Sequence, residues 1–84
     1  MLHVTETRYL EDFRLWLAFN DGQSGVVDLA KHLWGPMFEP LRDKAVFRQC
    51  RLDPELDTLV WSNGADLAPE FLRGCLSEDD AKST

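Results

Sequence analysis

The chain has 84 residues, 15 acidic against 9 basic, and a formal charge of −6. At this size it holds one core, and about 64% of the unfolded chain's surface is buried on folding, enough for an independent domain without room for a large cleft and lid. The basic residues are dispersed and form no run, which argues against autonomous nucleic-acid binding, because a duplex-binding surface needs clustered Lys and Arg.

Leu2 to Tyr9 is expected to be a first strand, carrying Val4, Thr5, Thr7 and Tyr9. Glu11-Asp12 is a polar break. Phe13, Leu15, Leu17 and Phe19 then alternate with Arg14, Trp16, Ala18 and Asn20. That period of two places four large apolar side chains on one face of a second strand. Asn20-Asp21-Gly22 is a turn signal, and Gly25 to Asp28 returns as a third strand.

Asp28 is expected to cap a short helix over Leu29 to Leu33, which Gly35-Pro36 stops. Met37 to Leu41 is an apolar connector. Asp43 is a second N-cap, ahead of a helix over 44–50 in which Val46, Phe47 and Cys50 share a face. Arg51 to Asp53 and Thr58 to Trp61 read as two short strands, and Asn63-Gly64 as a turn. Asp66 to Glu70 is expected to open a last short helix, with Pro69 at its first position and Phe71 and Leu72 pointing inward. The order predicts an α+β fold with a small, mainly antiparallel sheet: a β-meander, short helices, two further strands and a short C-terminal helix. The domain is assigned to residues 1–76 and a flexible acidic tail to 77–84; without that tail twelve acids and eight bases remain.

The sequence resembles the bacterial domain-of-unknown-function family 2442. The resemblance rests on Val4, the strand Leu15-Trp16-Leu17-Ala18-Phe19, Asp21-Gly22, Val27-Asp28-Leu29, Phe38-Glu39-Pro40-Leu41 and Phe47. Its most specific block is Trp61-Ser62-Asn63-Gly64-Ala65-Asp66-Leu67-Ala68-Pro69-Glu70-Phe71-Leu72. It implies a small α+β domain with no established activity, cofactor or catalytic residue. Many relatives have Pro where this chain has Lys44, and some add a helix-turn-helix that these 84 residues do not include. Relatives are commonly encoded beside another small protein, which implies a two-component, toxin–antitoxin-like setting.

No catalytic constellation is evident. Ser24, Ser62, Cys50 and Cys75 lack a flanking signature, and there is no glycine-rich phosphate loop. An enzyme, a cofactor and a metal site are therefore not expected. His32 follows Asp28 by four residues, but a structural zinc needs four ligands at recognisable spacing. The Met1 to Glu6 start has no basic region or apolar run, and no stretch is long enough to span a membrane. Two cysteines 25 apart suit reduced thiols in a cytoplasmic protein.

Two groups of residues remain as sites. Trp16, Trp34, Met37 and Phe38 form a candidate interaction surface, since Trp is enriched among interface anchors. Trp61, Asn63, Gly64, Asp66 and Glu70 form a candidate polar motif, although each also has a plain backbone role. The leading expectation is a protein-interaction module, the antitoxin-like half of a pair, whose acidity suits a small basic partner. The alternative is an accessory domain that binds a small ligand through the Trp61–Glu70 block. A small sheet also leaves edges open, so a homodimer is a further expectation.

Overall fold

The computed structural model describes residues 1–83, with side chains described through Leu76, so the expected tail over 77–84 lies outside the described side chains. The fold is α+β, as expected, but its strands form two antiparallel three-stranded sheets. The first sheet is the meander β1 (Val4–Glu11), β2 (Arg14–Phe19) and β3 (Ser24–Asp28), in that spatial order. The second is β4 (Arg51–Asp53), β5 (Thr58–Val60) and β6 (Asp66–Leu67). Residues 66 and 67 therefore pair with Val60 and Leu59 instead of opening a helix. The C-terminal helix, α2 (Pro69–Ser83), begins at Pro69, whose missing N–H and fixed φ suit a first helical turn.

The alternation in β2 sorts its two faces. Leu15, Leu17 and Phe19 are buried, while Trp16 and Ala18 are half-buried on the outer face. Val27 of β3, Leu72 and Leu76 of α2, and Leu59 of β5 complete the core around them. α2 packs against β3, where Leu76 lies against Gly25, the position on that strand with no side chain to displace it. Phe71, expected inward, is partly exposed and stacks edge-on against His32 with ring centroids 4.9 Å apart. The two sheets meet where β1 passes β4 and β5, and Val4 N–H donates to the Asp57 carbonyl at 3.0 Å.

The middle of the chain is less helical than the spacing predicts. Asp28 accepts from Ala30 N–H at 3.0 Å but is not the cap it was expected to be: the segment is one 3₁₀ turn, Ala30–His32, whose N-cap is Leu29, with no side-chain cap bond. The apolar connector contains a second 3₁₀ turn, Glu39–Arg42, with Leu41 buried. Asp43 caps α1 (Lys44–Phe47) by accepting from Ala45 N–H at 3.0 Å. That helix is a single turn, after which Gln49 and Cys50 N–H bond three residues back, to Val46 and Phe47, and the chain passes into β4. The Asp43 cap contributes about 1 kcal/mol, which matters most where a helix is too short to sustain itself.

Charged staples hold the meander to its neighbours. Lys44 donates to Asp12 at 2.8 Å, which lowers the Asp12 carboxyl below its ordinary range and raises Lys44. The Asp21 carboxyl is also held below its ordinary 3.8, first by the Gln23 N–H and then by Arg73 of α2, whose Nε lies 3.0 Å away. A depressed carboxyl stabilises the fold above its unfolded value and loses that contribution as pH falls through the folded value. Asp21→Asn keeps the acceptor for Gln23 and removes the charge facing Arg73. The variant is expected to melt below the wild type at neutral pH, with the gap closing on acidification below about pH 4. Melts across a pH series check this, and a gap that stays constant would exclude the ion pair as its source.

Candidate functional site

The connector after Leu33 turns outward. Leu33 is buried, Trp34 is 68% exposed and Met37 is 46% exposed. This segment is pinned at both ends. Gly35 takes a φ of +90°, which favours glycine, and its carbonyl accepts from the N–H groups of Phe38 and Glu39 at 3.1 and 2.9 Å. Arg42 Nε donates to the Leu33 carbonyl at 2.6 Å, and Asn63 Nδ2 donates to the Met37 carbonyl at 3.0 Å. Phe38 turns back and packs against the core. Trp34 and Met37 are therefore large apolar side chains presented by a backbone that is held in place.

The fold brings the two sequence groups together here. The Met37 methyl lies beside Gly64, 3.7 Å from where a Cβ would stand, so the Trp34–Phe38 connector rests on the Asn63-Gly64 turn. Trp16 is not part of this surface. It sits on the outer face of β2, cross-strand from Arg8 and Val26, with the Arg8 guanidinium 5.8 Å from its ring centre. Arg8, Leu10, Trp16 and Val26 line an open depression of about 360 Å³ there.

The Trp61–Glu70 block divides by burial. Trp61 is 2% exposed, and its indole Nε1–H donates to the Phe47 carbonyl at 2.9 Å. Asn63, Gly64, Asp66 and Glu70 are exposed. The turn itself duplicates the one between β2 and β3. Trp61 N–H donates to the Ala65 carbonyl, and Phe19 N–H to the Gln23 carbonyl, both at 2.9 Å. Asn63 Oδ1 accepts from Ala65 N–H, and Asp21 Oδ1 from Gln23 N–H, both at 3.0 Å. Gly64 and Gly22 have φ of +90° and +88°. Asn63 and Gly64 are thus hairpin-turn residues, and Asn63 has the added task of anchoring Met37.

Other polar groups are occupied with the fold. His32 packs on Phe71, and its Nε2 is 3.9 Å from Cys75 Sγ, linking the first 3₁₀ turn to α2. Burial pushes the Cys50 thiol up to about 11, so it is a poor nucleophile at neutral pH. No disulfide joins it to Cys75. Among the described residues no three His, Cys, Asp or Glu side chains are grouped to hold a metal ion, and no helix is long and apolar enough to cross a membrane.

Sequence reasoning named Trp34 and Met37 but did not distinguish them from Phe38, which differs only in turning inward. It missed Leu10 and Val26, each more than 40% exposed. The signal for Val26 was present, since it alternates with the buried Val27. No curated protein and no solved structure matches the chain. The family model described as a protein of unknown function, DUF2442, matches residues 4–74, and the chain belongs to that family.

Proposed function

We propose that this chain is a non-enzymatic protein-interaction module acting in the cytoplasm, the antitoxin-like half of a pair with a second small, basic protein. The observation that supports this most is Trp34: a large, exposed side chain on a connector braced by Arg42, Gly35 and Asn63. Bracing matters because an anchor already in place loses little freedom on binding. The chain's charge of −6 suits a basic partner and would speed encounter at low salt. Ligand binding at the Trp61–Glu70 block has less support, since Trp61 is in the core and Asn63-Gly64 is a hairpin turn.

The test is affinity capture from source-cell lysate with the wild type and Trp34→Ala in parallel. The wild type is expected to retain one small basic protein at near-equal amount, with retention falling as salt rises. Trp34→Ala is expected to keep its circular-dichroism spectrum and melting temperature while weakening binding by about 2 kcal/mol or roughly 30-fold, the scale of an anchor Trp. Full retention by the folded variant would remove Trp34 from the interface. Recovery of the chain alone would count against the pairing itself.

A further inference from the structure

The two outer strands of the meander differ in what they offer a neighbour. β1 is irregular, with register shifts between Val4 and Glu6 and between Tyr9 and Glu11, and its start is bonded to Asp57. β3 is an end strand in unbroken register with β2, from Ser24 to Asp28, and contains no Lys, no Pro and no bulge. Lys, Pro and bulges are among the devices that ordinarily stop edge pairing, and the one charged residue of β3, Asp28, stands at its end. α2 packs under the inner face of this strand, against Gly25.

The direction of the backbone groups follows from the pairing. Phe19 N–H donates to the Gln23 carbonyl and Leu29 N–H to the Phe13 carbonyl. Between those ends the odd-numbered residues of the strand face β2. Alternation in an antiparallel ladder then turns the N–H and C=O of Ser24, Val26 and Asp28 to the open edge.

We propose that a second copy of this chain pairs with that edge, antiparallel, across a two-fold axis through Val26. In this register Val26 faces Val26, so that the two copies exchange a pair of backbone bonds across the axis, and Ser24 faces Asp28. The register also keeps acid away from acid. Shifting it by two residues puts Asp28 opposite Val26 and leaves Ser24 without a partner. The outer face gains as well. Val26 lies cross-strand from Trp16, and Trp16 from Arg8. Two copies would therefore join their depressions into one apolar row centred on the paired valines, whose side chains are 41% exposed in the single chain. An isologous, closed contact of this kind satisfies both edges at once and stops at two copies. It uses a surface separate from Trp34 and stands whether or not the partner-binding reading does.

Sedimentation equilibrium of the full chain over a wide concentration range tests the mass. The expected result is a reversible transition from 9.7 kDa to twice that mass. Val26→Lys sets two ammonium groups face to face, and Val26→Pro removes the central donors. Both are expected to halve the mass with an unchanged far-ultraviolet spectrum. Hydrogen exchange on the wild type gives a second reading that needs no variant: the Val26 amide should gain protection as concentration rises. A monomer at all concentrations, a folded Val26→Lys that remains dimeric, or a dimer whose Val26 amide gains no protection would each overturn the proposal.

Discussion

Phe47→Ala is expected to bring the domain close to unfolding at ambient temperature. Phe47 has no exposed surface and stands where the two sheets and α1 converge. Its ring meets Tyr9, Phe13 and Trp61 at centroid distances of 6.2, 5.2 and 5.9 Å, two of them edge-on. Truncating a buried Phe to Ala costs about 3–5 kcal/mol, from lost transfer energy and the cavity left behind. A domain of this size has only about 4–13 kcal/mol in total. The melting temperature should fall by about 12 °C or more, given about 4–8 °C for each kcal/mol in small domains. Thermal and urea melts check this. A loss under about 1 kcal/mol would mean that the ring is not the meeting point of the two halves.

The position of Phe47 explains why much of this fold could be read from the sequence and some could not. Local rules were sufficient where one residue decides the outcome. Asp43 capped α1, Asp21-Gly22 made a hairpin, and the alternation from Phe13 to Phe19 set the buried face of β2. They were insufficient where tertiary pairing decides. β6 is two residues long, too short to show any period, and only pairing with β5 makes it a strand. The expected helices at 29–33 and 44–50 shrank to single turns, each holding one large apolar side chain in the core, Leu33 just past the first turn and Phe47 at the end of the second. The three tryptophans show the same limit in the candidate site. The sequence put Trp16 and Trp34 in one candidate surface and Trp61 in the polar motif, yet Trp16 is half-buried, Trp34 is exposed and Trp61 is in the core. Their neighbours across the fold, not their neighbours in sequence, separate them.

Trp61 is where the structural and functional readings of the specific block part company, and substitution distinguishes them. If the block's first residue serves the fold, its removal must cost stability irrespective of any ligand. Trp61→Ala removes a buried ring and is expected to cost about 3–5 kcal/mol. Trp61→Phe keeps much of the ring and removes the Nε1–H bond to the Phe47 carbonyl. That carbonyl retains the longer bond from Cys50 N–H at 3.3 Å, so the hydrogen-bond loss falls at the low end, about 1 kcal/mol. Asp66→Ala and Glu70→Ala change exposed side chains and should stay within about 0.5 kcal/mol. Urea midpoints at unchanged slope give all four values on one scale. The expected order is Trp61→Ala, then Trp61→Phe, then the two acidic variants near the wild type. A near-neutral Trp61→Ala would invert the assignment, because a tryptophan this deep in a core that contributes nothing to stability would have to be retained for binding.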